Sequence, residues 1–341
     1  MCITKIGFYN FYEAYNNNRM FDPAFQAAIG EDLLYPSHYL AQAAKKTGVD
    51  ISTIDTEPLE SYDAIIFYDF PGKRNPFLKQ AIKALPGNLI LFLFENEIIR
   101  PENWMAENHR FFRKIFTWKD TLVDTRRIFK FFLPNKIPEH VSFDLREKTK
   151  FCCMISGNKA VSHPLELYSE RIRAVRWFEK NRPDRFDLYG FGWDNPFPMI
   201  PPRVSRVIQP LISRIPLQYP SYRGKVDSKS AVMRKYRFSI CYENARDIPG
   251  YITEKIFDCF FSGCVPVYWG APNVTDFIPE ETFIDRRKFT SYAELFEYLD
   301  AMSSAEYQGY LKSIESFVNG PRIYPFSAEN FADIVLTGAL C

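Results

Sequence analysis

The chain has 341 residues, of which 46% are hydrophobic and 25% are charged, and its formal net charge is +2. This composition is typical of an ordered globular protein, and the length predicts two domains rather than one. The nearly balanced charge argues against nucleic acid as a partner.

The first 150 residues alternate between strand and helix patterns. Apolar strand patterns occur at 5–12, 49–55, 62–70 and 88–97, and helical patterns occur at 31–48, ending at Gly48, and at 75–87. Strand and helix in this rhythm predict a parallel sheet with helices on its faces.

A second run of the same kind begins at "KFCCMISGN", residues 150–158. Further strands are predicted at 186–193, 237–244 and 264–270, and helices at 164–181, 254–262, 291–302 and 305–320. We therefore expect two α/β domains, 1–150 and 151–326, facing each other across a cleft. We also predict a last helix at 327–341 and consider that it packs back on the first domain.

The segment "YITEKIFDCFFSGCVPVYWG", residues 251–270, begins with polar residues although the rest of it is apolar. Its pattern predicts a helix that stops at Gly263, followed by a strand. Thr253 is a suitable N-cap residue, which places Glu254 and Lys255 in the first helical turn. Because a helix N-terminus favours anions and lysine adds positive charge, an anionic ligand such as a phosphate is predicted there.

Residues 236–279 resemble the donor-binding signature of the alpha-1,3-fucosyltransferases, glycosyltransferase family 10. The matching elements are Tyr242-Glu243-Asn244, Gly250, the helix start at 251–255, Val265-Pro266-Val267 and Gly270. The resemblance implies a GT-B fold of two Rossmann-like domains, the first binding the acceptor and the second binding the GDP-sugar. It also implies an inverting transfer of L-fucose from GDP-fucose to a glycan hydroxyl, in alpha-1,3 linkage on the GlcNAc of N-acetyllactosamine-type acceptors.

The same resemblance implies roles for donor-binding residues in the second domain. Lys255 and Tyr251 would contact the diphosphate, and Glu254 would bind ribose or sugar hydroxyls. Further candidates are Asn244 in the triplet, Arg223 in a basic loop with Lys225 as its substitute, Arg173 with Arg171 and Arg176 as rivals, and the turn Ser156-Gly157-Asn158.

Glu95 follows the apolar run "LILFLF" in the first domain. Ligand-binding groups of α/β folds lie at the carboxyl ends of strands, and family members carry a catalytic base after such a strand. Glu95 is therefore the predicted base, and Glu97 is the alternative.

The sequence contains no Asp-x-Asp triplet, and its four histidines lack metal-ligand spacing. We therefore expect no metal and no cofactor other than GDP-fucose as the donor substrate. The predicted partner is a glycan acceptor, such as an oligosaccharide, lipopolysaccharide or glycoconjugate. Two other functions stay open: transfer of another GDP-deoxyhexose, and a non-catalytic module that binds glycan or nucleotide.

The N-terminal residues show no basic leader and no long apolar run, which predicts a cytoplasmic protein of bacterial or viral type. A basic amphipathic stretch, "RVSRVIQPLISRI" at 203–215, is compatible with peripheral contact at the inner membrane surface. Because Pro210 interrupts this stretch, an ordinary packed connection is the favoured interpretation.

Overall fold

The computed structural model describes residues 4–27, 32–194 and 218–338. Its contacts divide the chain into two compact units. The first unit comprises 1–137, 248–254 and 321–341, and the second comprises 138–247 and 255–320.

The second unit begins before residue 151, where the sequence pattern placed the boundary. Residues 138–149 precede the first strand of that unit, yet they already contact it. Lys148 Nζ donates hydrogen bonds to the carbonyl oxygens of Arg234 (2.8 Å) and Ser262 (3.2 Å). A strand pattern cannot reveal such contacts, because they join residues far apart in the sequence.

The first unit contains a six-stranded parallel sheet. Its strands are β1 (Lys5–Tyr9), β2 (Asp50–Thr53), β3 (Ala64–Tyr68), β4 (Leu89–Leu93), β5 (Lys114–Thr117) and β6 (Ile128–Lys130), in the order β2-β1-β3-β4-β5-β6. Its first helices are α1 (Tyr35–Thr47), α2 (Pro76–Ala84) and α3 (Ala106–His109). Strands β5 and β6, of four and three residues, were not predicted.

The second unit contains a five-stranded parallel sheet. Its strands are β7 (Lys150–Ile155), β8 (Phe186–Tyr189), β9 (Tyr236–Tyr242), β10 (Val265–Trp269) and β11 (Ile284–Asp285), in the order β11-β10-β9-β7-β8. The helices are α4 (Tyr168–Asn181), α5 (Lys229–Met233), α6 (Glu254–Phe261), α7 (Tyr292–Ala301) and α8 (Ser304–Val318). The prediction of α/β units with parallel sheets is confirmed.

In both sheets the first strand of the unit lies inside the sheet, between the second and third strands. Strands β1 and β3, and likewise β7 and β9, are therefore neighbours at which the strand order reverses. Ligands of open α/β sheets bind at the carboxyl ends of strands beside such a reversal. This places the candidate sites at the carboxyl edges of β1, β3 and β4 and of β7 and β9.

The C-terminal segment of the chain contains helix α9 (Ala328–Asp333) and packs on the first unit. The Phe331 ring contacts the rings of Tyr68, Phe92, Phe94 and Phe131, with centroids 5.6–6.4 Å apart. The aromatic side chains on one face of the β3–β4 region are thus covered by a segment more than 190 residues away along the chain.

Among the described helices, none is long and apolar enough to cross a membrane. The basic amphipathic stretch at 203–215 lies outside the described residues.

Two glycines of the second unit provide a matched test of packing. Gly309 lies inside α8, and a Cβ atom placed there meets no heavy atom within 4 Å. Gly263, between α6 and β10, has φ +57°, and a Cβ atom there would lie 2.3 Å from the carbonyl oxygen of Ser142. Gly309→Ala should raise the free energy of unfolding by about 0.5–1 kcal/mol, because alanine favours helix. Gly263→Ala should lower it by at least about 1 kcal/mol.

Urea unfolding of both variants followed by circular dichroism measures these changes. A Gly263→Ala variant as stable as the unsubstituted chain would contradict the described turn.

Candidate active site

The carboxyl end of β9 carries a buried ion pair. Glu243 has a fully buried side chain, and its Oε2 lies 3.4 Å from Nζ of Lys255, whose side chain is 24% exposed. The backbone N–H of Glu243 donates to the carbonyl oxygen of Trp269 at 2.8 Å, which ties this residue to the end of β10. A buried carboxylate is costly unless it is paired, so Glu243 fixes the position of the Lys255 ammonium group.

Lys255 is the second residue of α6, as the sequence predicted. Its ammonium group and the positive end of the helix dipole both favour anions. Glu243 is part of the matching triplet, yet the sequence resemblance did not predict a role for it. The signal that could have found it is an acidic residue directly after a largely buried strand, where its charge requires a partner.

Gly270 makes room for this ion pair. A Cβ atom at Gly270 would lie 2.3 Å from the Tyr268 hydroxyl oxygen and 2.5 Å from Cγ of Glu243. Both neighbours are buried, so neither side chain could move away without disturbing the core. The glycine at the end of the signature is therefore a steric requirement of the Glu243 side chain.

Asn244, the next residue, is held by an arginine of α4. The guanidinium of Arg171 donates to the carbonyl oxygen of Tyr242 at 2.7 Å and to Oδ1 of Asn244 at 3.0 Å. Arg171 is only 4% exposed. It therefore fixes the loop that leaves β9.

The other arginines of α4 do not reach this loop. Arg173, the favoured candidate from the sequence, has a side chain that is 67% exposed and forms an ion pair with Glu170. Arg176 pairs with Glu179 at 2.9 Å. The structure brings Arg171, and not Arg173, to the carboxyl edge, because only the 171 position lies on the face of α4 that packs against the sheet.

The basic loop residues are also placed differently from the prediction. Arg223 Nε donates to Oδ1 of Asp187 at 2.6 Å, and the same carboxyl group also contacts Lys150 and Tyr236 near the amino ends of β7 and β9. Arg223 thus lies toward the amino ends of the strands, whereas Glu243 follows the carboxyl end of β9. Its backbone runs beside β8, and the acidic partner there draws the guanidinium toward the amino end.

Lys225 lies near the carboxyl end of β8, with its Nζ 5.3 Å from the centroid of the Phe191 ring. Of the two basic loop residues, it is therefore Lys225 that lies on the side of the sheet where the candidate site is found.

The turn Ser156-Gly157-Asn158 follows β7 at the order reversal, and its hydrogen bonds go mainly to the loop after β8. Asn158 donates through its backbone N–H to Phe191 O (2.8 Å) and through Nδ2 to Gly192 O (3.1 Å). The Ser156 hydroxyl oxygen is buried and has no hydrogen-bond partner among the described residues. The turn is built into the carboxyl edge, and Ser156 retains an unused donor and acceptor there.

Tyr251 and Glu254 belong by their contacts to the first unit. The Tyr251 ring packs on Trp118 with centroids 4.7 Å apart, and the residue is 2% exposed. Glu254 is the exposed first residue of α6. The roles predicted for these two residues at the donor stay predictions.

In the first unit, the segment after β4 is clamped by Asp69, which follows β3. Asp69 Oδ1 accepts hydrogen bonds from the backbone N–H groups of Phe94 (2.8 Å) and Glu95 (3.1 Å) and from Asn103 Nδ2 (2.7 Å). Asn103 Nδ2 also donates to the Glu95 carbonyl oxygen at 3.2 Å. Asp69 has φ +64°, a left-handed conformation that aspartate tolerates. The backbone of half-buried Glu95 is therefore fixed on both sides.

Burial raises the pKa of Asp69, against the lowering effect of its hydrogen bonds. The desolvation of this carboxyl group is the cost of clamping the Glu95 segment, and the three donors offset part of it.

Glu97, the alternative base, forms an ion pair. Glu97 Oε1 accepts a hydrogen bond from Lys119 Nζ at 2.8 Å, and Lys119 in turn lies 5.0 Å from the centroid of the Trp104 ring. The choice between Glu95 and Glu97 as the base stays a prediction.

No cluster of three or more His, Cys, Asp or Glu side chains suited to a metal ion occurs in the described ranges. The expectation that no metal is needed stays a prediction.

Comparisons with known proteins agree with this geometry. Residues 216–319 match the model of the family described as glycosyltransferase family 10 (fucosyltransferase), C-terminal part. The alpha-(1,3)-fucosyltransferase FucT of Helicobacter pylori is 35% identical over 74 residues, which are 22% of this chain and 15% of that protein. An alpha-(1,4)-fucosyltransferase of Arabidopsis thaliana is 38% identical over 89 residues, 25% of this chain and 22% of that protein. The matches thus span about a fifth of these relatives.

Solved structures match over nearly the whole chain. An alpha1,3-fucosyltransferase with GDP-fucose has a TM-score of 0.53 at 16% identity, covering 91% of this chain and 81% of that one. The T4 phage BGT in complex with UDP and Mn2+ has a TM-score of 0.56 at 13% identity, covering 98% and 99%. At these identities the likeness concerns the fold alone.

The two Rossmann-like units, together with these neighbours, define a protein of the GT-B fold class. Within that class, residues 216–319, which include β9, the Glu243–Lys255 pair and β10, match the model of glycosyltransferase family 10. The family resemblance predicted from the sequence is confirmed.

The stabilities of two arginine variants of α4 test whether Arg171 holds the loop at the carboxyl end of β9. Arg171→Ala leaves the Tyr242 carbonyl oxygen and Asn244 Oδ1 without this buried donor, and should lower the free energy of unfolding by about 2–4 kcal/mol. Arg173→Ala removes only an exposed ion pair and should change it by less than about 0.5 kcal/mol. Chemical denaturation measures both, and equal losses would contradict the placement of Arg171.

Proposed function

We propose that this protein is an inverting glycosyltransferase that transfers L-fucose from GDP-fucose to a hydroxyl group of a glycan acceptor. In its specific form, the proposal is alpha-1,3 transfer to the GlcNAc of N-acetyllactosamine-type acceptors. The observation that carries it is Lys255, held by buried Glu243 at the N-terminus of α6, within the segment that matches the fucosyltransferase family.

The second unit supplies the chemistry of the leaving group. When the bond between fucose and phosphate breaks, negative charge develops on the diphosphate. A fixed ammonium group and a helix N-terminus stabilise that charge more as it grows, which lowers the barrier. Lys225 follows the carboxyl end of β8, so we assign to it, rather than to Arg223, the role of adding to this field. Arg171 acts by fixing the Asn244 loop.

The first unit supplies the base. Glu95 would accept the proton of the acceptor hydroxyl as its oxygen bonds to the anomeric carbon of fucose and GDP departs. A positioned carboxylate contributes about 10²- to 10⁴-fold to such a step. Asp69 and Asn103 clamp the Glu95 backbone, which limits the reorganisation of the segment that carries this carboxylate.

Two alternatives differ in testable ways. Transfer of another GDP-deoxyhexose keeps the same phosphate contacts, since these do not report the stereochemistry of the sugar. A non-catalytic binding module would not need a fixed backbone at Glu95 after β4, and this favours an enzyme. The cytoplasmic location and the contact with a membrane surface stay predictions.

The donor assignment is tested with purified protein, N-acetyllactosamine and a set of nucleotide sugars, all in the presence of EDTA. GDP-fucose should support transfer, UDP-glucose should not, and GDP but not UDP should raise the melting temperature, because only a ligand of the folded state stabilises it. Equal shifts with GDP and UDP would remove the guanine assignment. Activity that is absent in EDTA and restored by Mg²⁺ or Mn²⁺ would overturn the metal-free mechanism while leaving the donor in place.

The base is tested by two variants that differ by two positions. Glu95→Gln keeps the size of the side chain and removes its basicity, so kcat should fall at least 100-fold, in line with ~10²-fold for general base catalysis, while the GDP-induced shift is retained. Glu97→Gln disturbs only the pair with Lys119 and should keep most of the activity. Single-turnover transfer rates decide, and an active Glu95→Gln beside an inactive Glu97→Gln would move the role to Glu97.

A further inference from the structure

The loop after β1 carries two adjacent aromatic side chains that face solvent. Phe11 is 41% exposed and Tyr12 is 61% exposed. Three other aromatic side chains of the described ranges are comparably exposed, Phe191, Tyr298 and Tyr324, and none of these is next to another. The pair follows the carboxyl end of β1, beside the reversal of strand order where ligands of such sheets bind.

The backbone of this loop is fixed by Asn10, which is buried. Asn10 Oδ1 accepts a hydrogen bond from the Tyr12 N–H at 2.9 Å, and its Nδ2 donates to Asn16 Oδ1 at 3.2 Å. This Asx turn also ends β1 at Tyr9, earlier than the sequence pattern predicted. The Tyr12 ring is supported by Tyr15, with centroids 5.5 Å apart. The exposed rings are therefore held in place.

Contacts connect this loop to the Glu95 segment. The guanidinium carbon of Arg100 lies 3.1 Å from the centroid of the Phe11 ring, and Arg100 donates to the Phe70 carbonyl oxygen at 3.4 Å. Asp69, the residue before Phe70, accepts from the Glu95 N–H.

The charges agree with this proximity. Desolvation by neighbouring groups raises the pKa of Tyr12, and the negative charges of Glu95 and Asp69 raise it further while Arg100 lowers it. The Tyr12 hydroxyl thus lies within the electrostatic field of Glu95.

We propose that Tyr12 and Phe11 form the acceptor platform, on which the pyranose ring of the acceptor sugar stacks with its reactive hydroxyl directed toward Glu95. The inference rests on the proposed function and names the subsite for its acceptor. A pyranose has an apolar face of C–H groups and a polar rim, which matches a ring that offers a flat apolar surface with a hydrated edge. Arg100 places a planar set of N–H donors beside the platform for polar groups on that rim.

The test compares Tyr12→Ala and Tyr12→Phe in the transfer assay with GDP-fucose and N-acetyllactosamine. Tyr12→Ala should raise KM for N-acetyllactosamine at least tenfold, and its GDP-induced melting shift should match that of the unsubstituted protein. Tyr12→Phe keeps the ring and should restore KM to within about threefold, since stacking needs the face and not the hydroxyl. Tyr298→Ala, a control at a 42% exposed tyrosine of α7, should leave KM unchanged.

The results separate this inference from the function on which it rests. An unchanged acceptor KM in Tyr12→Ala, an equal loss in Tyr12→Phe, or a lost GDP shift in Tyr12→Ala would each overturn the platform. If the unsubstituted protein shows neither a GDP shift nor transfer, the proposed function fails instead.

Discussion

Parallel pairing of every strand is the constraint on which both units depend. A parallel connection must cross over a face of the sheet, so successive strands all point the same way and their carboxyl ends meet at one edge. Asp69 after β3 and Glu95 after β4 become neighbours for this reason, although 25 residues separate the ends of their strands along the chain. The same constraint places Glu243, after β9, beside the loop that leaves β10.

Polar groups buried at these carboxyl edges distinguish the candidate site of this protein from the sheet architecture that it shares with other proteins. The Asp69–Asn103 clamp and the Glu243–Lys255 pair each bury charge at a cost that only good geometry offsets. Such clusters add little net stability, but removing one partner from them is expensive. Their effect is to hold a carboxylate segment in one unit and a cation in the other with little freedom to reorganise.

The sheets themselves do not determine the donor. The same fold is found in solved structures of an alpha1,3-fucosyltransferase and of the T4 phage BGT, at 16% and 13% identity. What distinguishes this chain is the local segment at 216–319, in which the helix start, the buried glutamate and Gly270 fit together. The proposed chemistry therefore depends on this segment and on the hydrogen bonds that fix the Glu95 backbone, and not on the fold.

The sequence by itself determined the longer strands and helices of both units, the stop at Gly263, and the place of Glu254 and Lys255 in the first turn of α6. These features depend on periodicity and on residues close together in the chain, so a local pattern carries them. It also supplied Glu95, because a charged residue after an all-apolar strand marks the carboxyl end.

Only the tertiary structure decided which partners those residues have. Arg171 rather than Arg173 reaches Asn244 because the sheet lies against one face of α4, and Arg223 turns toward Asp187 because its backbone runs beside β8. Asp69 clamps the Glu95 backbone, and Arg100 contacts the Phe11 ring, only once β1, β3 and β4 are neighbours. Neighbour relations in a parallel sheet are set by long crossovers and by packing over the whole unit, and for that reason no short stretch of sequence contains them.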